Sequence, residues 1–407
     1  MGGGENRRAF YCMLKLFNTC NYPNQGAIVS SSWDLSTVTR THAAGVLPAL
    51  GLAAALAAGP TPAQASLQFA LTYLPGTTVA EQNAFAAAAA VWSSVLADAV
   101  TVHLTVGTAD LASSVLASAD SVFTLHGYAS ARAALLADAT SSADATATTN
   151  LQPGPNTRLL INATANNPNG ANSLVPYLDT TADNTALLRM TNANAKALGL
   201  STNAFMLGAC TTAGAVACDG AITFNTTDFG WDLNPGDGIG GGLFDFVGIA
   251  VHEIGHALGF VSGVDVLDIN AGPTNLFGDD GFTWVTPLDL YRCSAASAAQ
   301  NALDWTAGGA TDPKLFSLDG CDTALANFAT GQFQGDGRQA SHWKDNLGIG
   351  LMDPTSAPGE LKILTDIDVL AFDVIGWNAV ATPAPASALV FVFGLAGLAL
   401  ARRQALA

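Results

Sequence analysis

The chain has 407 residues, enough for one large or two medium domains with a real hydrophobic core. Its formal net charge is −17, and between residues 66 and 380 stand 9 basic against 30 acidic side chains. Such a surface repels phosphate backbones and excludes nucleic acid as a partner.

The chain opens on an address. Residues 43–59 form a short apolar run behind Arg40 and His42, and Ala63-Gln64-Ala65 follows it. Basic flank, apolar core and A-x-A site together predict a secretory signal peptide cut after Ala65. The stretch ahead of it, with Cys12 and Cys20, is too long for a normal n-region, so translation is expected to start near Val38. A chain poor in Lys and Glu but rich in Ala, Thr, Asn and Gly suits an exported bacterial protein.

From Ser66 a strand pattern (LQFALTY) runs to a turn at Pro75-Gly76. Thr78 with Glu81 three residues on is a capping box, and predicts a helix to about Ala97. Val100, Val102, Leu104 and Val106 then alternate with Thr101, His103 and Thr105, a half-buried strand with His103 on its polar face. Residues 140–185, rich in Thr, Asn, Asp and Gly, read as a long surface loop. Another strand is expected at 221–225, before a Gly/Asp-rich loop from Asn234 to Gly242. The leader aside, four cysteines remain: Cys210, Cys218, Cys293 and Cys321. In an exported chain they suggest two disulfides, with local pairing (210–218, 293–321) the simplest of three connectivities.

Residues 244–260 (FDFVGIAVHEIGHALGF) carry an apolar helical face closed by Gly259. His252 and His256 lie one turn apart on the same side, the spacing that two ligands of a tetrahedral Zn²⁺ require, with Glu253 beside them as general base. Histidines are scarce after the leader: His103, His126, His252, His256 and His342. A catalytic zinc takes three protein ligands and leaves one position open. Ser262 stands where a compact motif would carry a third histidine, and a hydroxyl is a poor zinc ligand. Glu360 is the one glutamate downstream of Glu253, in a segment that is not evidently helical; His342 is the better candidate. The acidic stretches Asp279-Asp280-Gly281 and Asp232 to Asp237 are candidate Ca²⁺ loops, although acidic loops are usually only solvated.

The pieces HEIGHALGF (252–260), His342-Trp343-Lys344, Leu351-Met352-Asp353-Pro354 and Thr365 to Trp377 together resemble the leishmanolysin branch of the metzincin metalloproteases. The resemblance covers roughly residues 220–378. It implies an α+β zincin fold: a twisted mixed sheet with an active-site helix, and an irregular lower subdomain that returns the third ligand. It implies zinc on His252, His256 and His342, Glu253 as catalytic base and Met352 in a Met-turn beneath the metal. The expected division is an extension and signal peptide over 1–65, an upper subdomain over 66–260, a lower one over 261–378, and a linker and tail over 379–407. That tail holds Pro383-Ala384-Pro385, an apolar run at 388–401 and Arg402-Arg403. It resembles the PEP-CTERM sorting signal, with Ala384 where the signal usually has Glu. The resemblance implies a Gram-negative bacterium, transient membrane association through 388–401 and a processing protease of the envelope as partner. The expectation is an exported or surface-held zinc endopeptidase acting on proteins or peptides, with substrate laid along a sheet edge at 221–225. The alternatives are a non-catalytic cell-surface or matrix protein that retains the fold, and a purely structural zinc site.

Overall fold

The structure, a computed structural model, describes residues 66–181, 183–202, 218–271, 277–309 and 312–380, and the backbone of 19–21. The expected signal-peptide segment, Cys210 and the tail after Val380 lie outside the described residues. Among the described residues no helix is long and apolar enough to cross a membrane. The protein is α+β, with one larger mixed sheet and several small ones.

The larger sheet has the order β1-β4-β5-β3-β2, with β1 at Thr19–Asn21, β2 at Gln68–Tyr73, β3 at Thr101–Thr108, β4 at Val115–Ser121 and β5 at Gly220–Phe224. β2, β3 and β5 are mutually parallel, while β4 runs antiparallel to both β5 and β1. Helix α1 (Val79–Val95) starts where expected. Thr78 accepts from the Glu81 amide, and Glu81 accepts from the Thr78 amide at 2.7 Å. Beneath it, Phe85 meets Phe224 of β5 edge-on at 5.3 Å and Phe246 at 5.0 Å, and the last two rings stack at 4.2 Å.

Three expectations need correction here. The strand at 220–224 is interior, hydrogen-bonded on both sides, so it offers no edge to a substrate; β4 lies outside it. Thr105, expected on a polar face with His103, is buried in β3, its hydroxyl 3.7 Å from Cys218 Sγ. The segment 140–185 is not one loop. It holds helix Ser142–Asn150 and the strands Leu159–Ile161 and Tyr177–Asp179, the first of which pairs in parallel with Leu303–Trp305. That pairing crosses the boundary drawn at residue 260.

In the lower half, strands Arg292–Cys293, Lys314–Phe316 and Ala326–Phe328 form a small antiparallel sheet. The Cys293–Cys321 disulfide closes it across 28 residues, a loop whose cross-linking contributes about 3.5 kcal/mol by chain entropy. Cys218 is disulfide-bonded too.

The closing helix, residues Asp366–Val374, leads to a corner where Asn378 binds Asp98 and Asp138 through Nδ2, each at 3.2 Å. Burial, only partly offset by that hydrogen bond, pushes Asp138 up to about 6. A raised carboxylate contributes stability that is fully present below its unfolded value and is lost as pH rises through 6. Asp138→Asn keeps the acceptor oxygen and removes the charge. It is expected to raise the melting temperature by about 2 °C at pH 8 and to bring no gain near pH 4, read by thermal scans at both pH values.

Candidate metal centre

Helix α4 (Phe246–Leu258; α2 and α3 being Tyr128–Asp138 and Ser142–Asn150) carries the first two histidines. All thirteen of its residues are buried, as befits a helix apolar nearly all round. Asp245 caps its first turn, accepting from the Gly248 amide at 2.8 Å and from Lys362 N at 3.1 Å. At its end Gly259 takes φ = 126°, which costs a residue with a side chain, and the chain turns back on itself. The reversal brings the Phe260 carbonyl within 2.7 Å of His256 Nδ1.

His342 arrives from the far end of the lower half and joins the other two. His256 Nε2 lies 3.1 Å from His252 Nε2 and 3.2 Å from His342 Nε2, with all three rings fully buried. The rings of His252 and His342 are nearly parallel, and His256 stands across both.

The proton positions follow from the other ring nitrogens. His252 Nδ1 faces the Leu351 carbonyl at 2.9 Å, His256 Nδ1 the Phe260 carbonyl, and His342 Nδ1 the Gln339 carbonyl at 3.3 Å. A carbonyl only accepts, so each Nδ1 carries the proton. Burial lowers His256 to about 4; it also holds His252 and His342 well below the usual imidazole value, the neighbouring rings adding to the effect. The imidazoles are therefore neutral at pH 7 and each Nε2 presents a bare lone pair. The close Nε2 contacts cannot then be hydrogen bonds. Three converging lone pairs in a dry interior repel one another unless a cation sits among them.

The spacing fits such a cation. Bonds of about 2.1 Å hold nitrogens about 3.0 Å apart in a cis-octahedral and about 3.4 Å apart in a tetrahedral arrangement, and the two distances seen fall between these values. Among the described residues, the triad is the one group of three or more His, Cys, Asp or Glu side chains arranged to hold a metal.

Met352 is buried under the same helix turn. A β-carbon on Gly255 would meet Met352 Sδ at 2.8 Å and Trp92 Cζ2 at 3.2 Å, so the glycine lets the helix settle onto both. Trp92 Nε1 donates to the Val251 carbonyl from the other side. The turn carrying Leu351 and Met352 is fixed by Asp368, which accepts from both amides, from Trp343 Nε1 at 2.8 Å and from Thr365 N at 2.9 Å. Leu351 supplies the carbonyl for His252, so this carboxylate also orients that imidazole.

Other candidates stand elsewhere. Glu360 is exposed, near Lys362 and bonded to the Ala357 amide. His103 lies on β3, and His126 lies in the strand Phe123–Gly127 with Nε2 at 3.0 Å from the Ser201 carbonyl. Neither acidic loop forms a metal-holding group. Asp232 takes the amides of Asn234 and Gly240, and Asp279 binds Asn166 and the Tyr177 hydroxyl. Asp265 leaves no local pattern, because it binds backbone amides of a remote segment; Asp245 is legible as the N-cap ahead of an apolar run, but its bond to Lys362 N is not.

Fold and site define an α+β protein with a buried tri-histidine cluster and an adjacent buried glutamate, Glu253. No known protein family, curated protein or solved structure matches the chain.

Proposed function

We propose that the protein is an exported zinc-dependent endopeptidase of zincin type, with His252, His256 and His342 as the metal ligands. The observation that carries this reading is the convergence of three neutral Nε2 lone pairs beside Glu253 on a His-Glu-x-x-His helix turn. Imidazole sets also suit other transition metals, and zinc is favoured by the His-Glu-x-x-His arrangement. Three protein ligands leave a fourth position open, which argues for catalysis over a structural role. Bound zinc would supply Lewis acidity, polarising a peptide carbonyl and lowering the pKa of a water toward 7. Glu253 takes a proton from the attacking water and passes it to the leaving amine.

Peptide substrates align along the outer edge of β4, whose Ser121 Oγ approaches the His256 carbonyl at 3.5 Å. This edge accepts an antiparallel strand, since Thr19–Asn21 pairs there with Ser118, Ala117 and Val115. Removal of the leader after Ala65 frees it. The test is cleavage of casein by the chain from Ser66 onward, with and without chelator. Cleavage is expected to vanish on metal removal and to return with one equivalent of zinc. Chelator-insensitive cleavage, or none from zinc-loaded protein, overturns the assignment.

A further inference from the structure

The third ligand comes from 86 residues beyond His256, on a segment with no regular secondary structure around it. Something must fix its place, since a metal site tolerates little error in ligand position. The structure shows what holds the segment. Helix α5 (Val264–Asn270) follows α4 almost directly, and its Asp265 and Asp268 lie three residues apart, on one face. Asp268 accepts from the amides of Phe333 and Gln334 at 2.7 and 2.8 Å. Asp265 accepts from the amides of Ala340 and Ser341 at 2.5 and 3.2 Å and from the Ser341 hydroxyl. Both carboxylates therefore grip the strand of chain that ends in His342.

The contact with Ala340 reaches further. Its N–H and the Gln339 carbonyl belong to one planar peptide unit. That carbonyl is the acceptor for His342 Nδ1. Fixing the N–H on Asp265 therefore fixes the direction of the carbonyl, and with it the tautomer and tilt of the imidazole. Ser341 closes a second link, because its hydroxyl oxygen accepts from the Ser262 amide at 2.8 Å. Ser262 itself donates to Asp289 at 2.5 Å. The residue at the place of the compact motif's third ligand thus joins the ligand-bearing segment to the end of α4.

We propose that Asp265 is a positioning residue for the third ligand, acting on His342 through the 339–340 peptide and Ser341. The inference rests on the reading of the triad as a zinc site. Partners of this kind are worth about 10- to 100-fold in metal affinity. The experiment measures zinc affinity of the metal-free chain by competition with a chromophoric chelator, with circular dichroism to establish that each variant is folded. Asp265→Ala is expected to bind zinc 10- to 100-fold more weakly. Asp265→Asn, which keeps an acceptor for Ala340 N, is expected to recover part of the loss. Asp304→Asn serves as the control, since it disrupts a buried ion pair with Lys314 at 2.9 Å and its carboxylate binds Thr306 and Lys314 rather than the segment leading to His342; it is expected to leave the affinity of folded protein unchanged. If Asp265→Ala fails to fold, the Asn variant and Ser341→Ala carry the test, each with a smaller loss expected. Wild-type affinity in the Asp265 and Ser341 variants overturns the inference, and so does an equal loss in Asp304→Asn. Absence of zinc binding by the unaltered chain overturns the metal-centre reading itself, and the inference with it.

Discussion

Replacing His342 by Ala is expected to abolish bound zinc and peptide hydrolysis together. The lost imidazole is one of three whose Nε2 lone pairs converge, His256 Nε2 lying 3.1 and 3.2 Å from the other two, in a place closed to solvent. A site reduced to two ligands must recruit water for the third bond, and water neither matches imidazole as a donor nor is held there by the protein. The loss does not need an unfolded chain, because the segment keeps its backbone links: Ala329 N to the His342 carbonyl and Trp343 N to the Met352 carbonyl. Metal content by elemental analysis, read beside casein cleavage, checks the outcome. His103→Ala, His126→Ala and Glu360→Ala are expected to leave both intact. Ser262→Ala removes a hydrogen bond to the buried Asp289, so its expected effect is on stability, with zinc stoichiometry unchanged. Full zinc in His342→Ala combined with its loss in Glu360→Ala would reverse the ligand assignment.

How far the sequence announced this arrangement depends on how local each signal is. The Thr78–Glu81 box and the turn-spaced His252 and His256 are satisfied within a few residues, and helix geometry turns that spacing directly into position. His342 was reachable through scarcity and exclusion: few histidines exist, and Ser262 cannot ligate. β4 left no signal of its own, because its Ala and Ser positions (VLASADS) blur the alternation that marks a half-buried strand. Missing β4 made the interior strand at 220–224 look like an edge. The three-residue strands at 159–161 and 177–179 were lost in a polar stretch because a partner, 303–305, lies more than a hundred residues away. The carboxylates of Asp245, Asp265 and Asp368 share that difficulty. The remote amides they take, of Lys362, Ala340 and Leu351, could be supplied by any sequence, whereas the caps that Asp245 and Asp368 make to Gly248 and Thr365 are local.

Glu253→Gln is expected to retain zinc at wild-type stoichiometry and to lose at least ~10²-fold in peptide hydrolysis, the scale of a missing general base. The substitution is nearly isosteric, which matters because the residue is fully buried on a helix with no exposed position. Packing against α4 is therefore preserved, and what changes is the ability to take up a proton. An ionised carboxylate is costly to keep in such a place, so a fold that used residue 253 only for packing would gain from the amide. The opposite result is expected in the assay. The loss should fall on kcat with KM little altered, since the proton is moved only on the way to the transition state. The same measurement separates the enzyme from a non-catalytic surface protein that merely retains the site. In an enzyme the amide keeps the metal and stops the reaction, whereas unchanged turnover in zinc-loaded Glu253→Gln removes this residue from the chemistry.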